Sequence, residues 1–74
     1  VSELNLALIR EQRIKLNLTQ QDMAKHLGMS NKADYNRYEN GVYSFDAKYV
    51  PMLHKVLKIE YSDLFTQKVN KIET

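Results

Sequence analysis

Cysteine is missing from all 74 residues, and with it disulfide scaffolds, thiol nucleophiles and cysteine-ligated zinc. Tryptophan is missing too. Glycine occurs twice and proline once, so few positions force a helix to break. Apolar runs stop at three or four residues, far short of the ~20 that a membrane-spanning helix needs. A basic-then-apolar targeting leader is not expected. No sign of charge dominates: 11 cations against 9 anions leave a net charge of +2, a mild lean toward an anionic partner. The balance is even along the chain, six cations to five anions over residues 1–41 and five to four over 42–74. A chain of this length makes one small domain that buries only about 60% of its unfolded surface, so it must pack tightly.

What is present is helical periodicity. Strand-like alternation is weak throughout, and the expected class is all-α with five helices. Leu6, Ile9, Arg13 and Leu16 fall at steps of three, four and three, which puts them on one face of a first helix. That helix is expected to run from Ser2 or Glu3 to Leu16, with Asn17 as a left-handed cap. Thr19 and Asp22 have the spacing of a capping box for a second helix, which carries Met23, Ala24 and Leu27 on one face and ends at Gly28. A third helix, capped by Ser30 or Asn31, carries Tyr35, Tyr38 and Glu39 inward and stops at Asn40-Gly41. Pro51 is compatible with the first turn of a fourth helix, or with a kink in it, and that helix ends at Leu57. Ser62 is expected to cap a last helix from Asp63 to about Lys68. Residues 1–68 then form one domain, and 69–74 a frayed tail.

The stretch from Thr19 to Gly41 reads as two short helices joined by a tight turn, with the small Ala24 where they would cross. This is the outline of a helix-turn-helix, spanning about 19–40; an ordinary αα-corner shares it. With Tyr35 and Tyr38 turned inward, Lys32, Ala33, Asn36 and Arg37 face out from the helix at about 31–40. Arg can pair twice with guanine, Asn twice with adenine, and Ala can pack on a thymine methyl. Asp34 on the same helix could accept from cytosine or weaken phosphate contact. The free amides and positive dipole end beside Gln20 suit a phosphate, and the Gln side chain adds a donor. Arg13 lies on an apolar stripe and needs a carboxylate partner. His26 and His54 are isolated, and no phosphate-cradling Gly loop exists. No enzyme, metal site or cofactor is therefore expected.

Arg13, Leu18-Thr19-Gln20, Met23-Ala24, Leu27-Gly28, Ser30 and Tyr38-Glu39-Asn40-Gly41 resemble the Cro/CI (XRE) family of helix-turn-helix regulators. Leu57, Ile59, Ser62 and Leu64 stand where that family places its later helices. The resemblance covers roughly Leu6 to Phe65. It implies a five-helix lambda-repressor-like fold and a sequence-specific transcriptional regulator, of the kind found in phage Cro and repressor proteins. It also implies a structural ion pair between Arg13 and Glu39, and phosphate contacts from Gln20 and Asn40. Two features depart from the family pattern. The interval from Gly28 to Gly41 is one residue longer than usual. The loop after Gly41, Val42-Tyr43-Ser44-Phe45-Asp46, is aromatic where relatives place cations, so that Lys48 is the first cation available to phosphate.

The partners so implied are double-stranded operator DNA and a second copy of the chain, in the cytoplasm of a bacterial or phage-infected cell, with no membrane role. A second expectation keeps the fold and changes the partner: an antirepressor, modulator or antitoxin acting by binding a repressor or toxin protein. Tyr43 and Phe45 are the candidate contact residues for a heterologous protein partner and Tyr61 for a self-dimer, because exposed aromatics either meet another chain or fold back on the core; Phe45 closing the core over the fourth helix is the alternative.

Overall fold

The first three helices end alike, and these endings set the geometry of the domain. A computed structural model describes residues 2–67. In it α1 (Leu6–Lys15), α2 (Gln20–Leu27) and α3 (Lys32–Glu39) are each closed by a left-handed residue, Asn17 (φ 60°), Gly28 (φ 74°) and Gly41 (φ 82°) respectively. The amide of the following residue then reaches back five positions: Leu18 to the Arg13 carbonyl, Met29 to Ala24 and Val42 to Arg37, at 3.0, 2.8 and 2.9 Å. Each reversal satisfies carbonyls that a helix end leaves orphaned. A Cβ at Gly28 would meet nothing within 4 Å. Glycine is favoured there by the backbone angle alone.

The starts are fixed by side chains. Thr19 Oγ1 accepts from the Asp22 amide at 3.0 Å, and an Asp22 carboxylate oxygen accepts from the Thr19 amide at 2.9 Å. The Thr19 amide, and after it the Thr19 hydroxyl, hydrogen-bond to the Asp22 carboxyl and hold it below the usual carboxylate range. Of the two candidate caps for α3 it is Asn31 that acts, its Oδ1 3.0 Å from the Asp34 amide. A short 3-10 turn, Ala47–Tyr49, leads into α4 (Val50–Leu57), with Pro51 in the first turn, where its missing amide costs nothing.

α2 and α3 pack most extensively against each other, and α4 closes over α1 and α2. The core between them consists of Ile9, Met23, Ala24, Leu27, Tyr35, Leu53, Leu57, Ile59 and Leu64. Ala24 is fully buried; with no side chain beyond Cβ, it suits close approach of the two helices.

The chain ends differ from the expectation. The first helix starts at Leu6, not at Ser2 or Glu3, because Asn5 caps it by accepting from the Leu8 amide at 3.1 Å. Residues Ser2–Leu4 form instead a strand, β1, antiparallel to β2 (Phe65–Gln67), with Leu4 opposite Phe65. The last helix, α5, is only Tyr61–Leu64; Glu60 and not Ser62 precedes it, without a side-chain cap. The fold remains all-α in class, five helices with a short ribbon joining the two ends. The expected tail, 69–74, lies outside the described residues, and so does Lys68.

Candidate nucleic-acid interface

The inner side of α3 is anchored through one carboxylate. Glu39 is 2% exposed, and four groups from three helices converge on it. Arg13 of α1 approaches as a fork, Nε to Oε2 at 2.8 Å and Nη2 to Oε1 at 3.2 Å. Tyr35 donates its hydroxyl to Oε2 at 2.8 Å, and Gln20 of α2 donates its amide to Oε1 at 3.2 Å. Arg10 Nε stands 3.7 Å from Oε1. Arg13 also donates to the Leu18 carbonyl at 2.9 Å, tying the turn between α1 and α2 into the same cluster.

Burial alone would push the Glu39 carboxyl up. The hydrogen bonds from Arg13, Tyr35 and Gln20, with the Arg13 charge, outweigh it and hold the group below the usual carboxylate range. The same bond raises Arg13. Burial, and then the hydrogen bond to Glu39, push the Tyr35 hydroxyl far up.

These shifts fix a pH dependence. Below the usual carboxylate range the unfolded chain binds protons that folded Glu39 and Asp22 refuse, so their stabilisation is complete above that range and is lost as pH falls through the folded values. At the other end, folded Tyr35 keeps its proton while the unfolded side chain loses it near ~10, so stability falls above that pH. Urea midpoints across pH should show a neutral plateau with a limb on each side. Glu39→Gln should flatten the acid limb and Tyr35→Phe the alkaline one; limbs unchanged by both would refute the assignment.

Sequence reasoning missed Arg10, although it lies one turn before Arg13 on the same helix face. Its Nη2 donates to Asn40 Oδ1 at 3.1 Å; Asn40 Nδ2 donates to Asn36 Oδ1 at 3.1 Å; Asn36 Nδ2 donates to Gln20 Oε1 at 3.2 Å. With Glu39 this makes a polar chain linking the end of α3 to the start of α2 and to α1. Asn36 and Gln20, read as free to meet a base and a phosphate, have their amides engaged in that chain and are half-buried. Lys32, Ala33 and Arg37 stand clear on the outer side of α3 as exposed residues, and Arg37 Nη1 lies 3.1 Å from Asp34 Oδ1. Asn40 is exposed at the end of the helix. Lys48 stands apart on the 3-10 turn, its Nζ 5.3 Å from the centre of the Tyr49 ring.

The aromatic contact residues part company. Phe45 is not an exposed aromatic: it folds back, stacking on Tyr38 at 5.1 Å and meeting Tyr35 and Tyr49 at 6.3 and 6.2 Å. With so small a core, the loop ring is used to close it. Tyr43 remains 46% exposed, with one edge on Tyr38, and Val42 beside it is 67% exposed. Tyr61 is also 46% exposed, but one face is covered by His54, stacked at 4.0 Å. His54 in turn uses Nδ1 to meet the Ile59 carbonyl at 2.7 Å, which gives it a place in the packing of α4 against the following connection. Among the described residues no group of three or more His, Cys, Asp or Glu comes together to hold a metal ion, and no helix is long and apolar enough to cross a membrane.

A short capped helix, a left-handed glycine turn and a second short helix with its polar side outward define a helix-turn-helix domain. The chain belongs to that family: the family model described as a helix-turn-helix domain matches residues 7–69. Comparison with curated proteins and with solved structures returned no match. The family carries a coarse functional reading, a DNA-binding regulator.

Proposed function

We propose that this chain is a sequence-specific transcription regulator of the Cro/CI type that lays α3 in the major groove of an operator. The observation that carries the reading is the division of α3. Glu39 ties its inner side to α1 and α2, and Lys32, Ala33 and Arg37 stand exposed on the outer side. Side chains on a rigid, short helix reach base edges with little loss of freedom on binding. Arg37 is the guanine reader, Lys32 near the helix start meets a base or phosphate, and Ala33 packs on a thymine methyl. Asn36 reads adenine only if it leaves the polar chain. Asn40 and Lys48 meet backbone phosphates, and Gln20, its side chain engaged by Glu39 and Asn36, does so through its backbone amide at the start of α2. A homodimer reads a two-fold-related pair of half-sites.

Selection from randomised duplexes followed by binding assays tests this. Arg37→Ala should lose about 1–3 kcal/mol of discrimination at one base position with the fold intact. With few cations on the interface, the slope of log affinity against log salt should be modest, about four to six in magnitude for a dimer. Unfolding of Arg37→Ala, or binding indifferent to salt, would contradict the orientation of α3.

A protein-interaction regulator on the same fold, an antirepressor or antitoxin, is the second reading, favoured by the adjacent exposed Val42 and Tyr43. An unenriched duplex pool, together with binding to a neighbouring gene's product that Tyr43→Ser abolishes, would favour it over the first.

A further inference from the structure

Asp34 is a carboxylate on the outer side of the helix that is proposed to face a polyanion. Its pairing with Arg37 joins residues three apart, with the two side chains 38% and 46% exposed. Such exposed helix pairs add little to stability, and an anion in the first helical turn adds only a little more, so a charge that weakens DNA binding is kept for a small return in stability. The pair is nevertheless well placed. Asp34 sits in the first turn of α3, where the helix dipole favours an anion. Its backbone is held by the Asn31 cap at 3.0 Å. Arg37 is one turn on, and its Nη1 reaches Asp34 Oδ1 at 3.1 Å.

A guanidinium has five N–H donors in a planar fork. The contact to Asp34 engages one nitrogen and leaves the rest of the fork to meet an acceptor pair, and the acceptor pair with that spacing in the major groove is guanine O6 and N7. Asp34 itself, with one oxygen outside the pair, can accept from an exocyclic amine, cytosine N4 or adenine N6. It repels the acceptor atoms of thymine and guanine as well as the phosphates.

We propose that Asp34 is a positioning and specificity-determining residue. It holds Arg37 in the orientation that reads guanine and penalises phosphate and acceptor-bearing base edges, so that affinity for DNA in general is lowered and discrimination is raised. The inference rests on the reading of α3 as the groove helix. Its binding partner is a duplex with guanine under Arg37 and an amine-bearing base beside it.

The test uses the full chain as parent, Asp34→Asn, Asp34→Ala and Arg37→Ala. Each is run through the same randomised-duplex selection, then titrated against the selected duplex and one of random sequence. Both Asp34 variants should bind the random duplex several-fold more tightly. Their ratio of selected to random affinity should fall about tenfold, within the range that one bidentate base contact supplies, and the guanine preference under Arg37 should flatten. Melting temperatures should fall by no more than a few degrees, the share of the charge at the helix start, whereas the ratio of selected to random affinity is a readout that a merely structural role for Asp34 would not move. If the Asp34 variants gain affinity for both duplexes equally and keep the guanine preference, Asp34 is only an unfavourable charge and the proposal is wrong. If instead Arg37→Ala leaves every base preference intact, or the parent enriches no duplex, α3 does not read the groove, and both readings fail together.

Discussion

Arg13→Ala should destabilise the domain by about 3–5 kcal/mol, the usual cost of stripping one partner from a buried charge pair. The substitution removes both arms of the fork on Glu39 and the donor to the Leu18 carbonyl. The carboxylate stays buried, with Tyr35 and Gln20 as its remaining close partners and Arg10 at 3.7 Å. A domain of this length has a total stability of roughly 4–11 kcal/mol, so a large share is at stake. Chemical denaturation of the parent, Arg13→Ala, Glu39→Ala and the double variant gives the coupling energy directly. Arg13→Met with Glu39→Met should recover much of the loss, since apolar residues of similar volume replace a buried pair without an orphaned charge. Arg13→Lys should recover little, because an ammonium cannot reproduce the two-pronged contact. If Arg13→Ala melts with the parent, the pair is solvated, and α3 is held by its apolar contacts alone.

The functional consequence separates this pair from the residues proposed to read DNA. Arg13 and Glu39 face the interior, so losing them should weaken binding to every duplex alike by loosening α3. Losing Arg37 should weaken binding to one base only. A uniform and a position-specific loss can be told apart in one selection experiment.

The parts of this architecture that were legible in the sequence are those written in local signals. The Thr19–Asp22 box, Asn17, Gly28 and Gly41 each act within a few residues, and each acts as its type predicts. The inward face of α3 followed from the spacing of Tyr35 and Glu39. The ribbon was not legible. Each strand has three residues, too few for alternation to register, and the partners are separated by almost the whole chain. Ser2 and Glu3 look like a helix start by type, but Asn5 is the cap that operates. The polar chain through Arg10, Asn40, Asn36 and Gln20 was hidden for a similar reason. Each of those residues suits a solvated surface or a DNA contact equally well, and only the packing of three helices brings them within hydrogen-bond distance.

Leu53→Ala should be among the most damaging of the purely apolar substitutions. Leu53 is fully buried on α4, the helix that closes over α1 and α2, within the same cluster as Ile9, Met23 and Leu57. Truncation removes the transfer free energy of the lost atoms and leaves a cavity that the neighbours fill only in part, for about 2–5 kcal/mol. Alanine is the better helix former, so any loss comes from packing and not from the backbone. At this size each kcal/mol moves the melting temperature by about 4–8 °C, and a loss near ~3 kcal/mol corresponds to a drop of roughly 12–24 °C. Leu53→Met, nearly equal in volume, should cost less than about 1.5 kcal/mol. Because α4 does not carry the residues proposed to read bases, Leu53→Ala at a temperature where it is still folded should keep the parent's base preferences. A small shift in melting temperature would mean that the site collapses without a cavity. Altered base preferences in the folded variant would mean that α4 sets the angle of α3, and that the core and the reading surface are one mechanical unit.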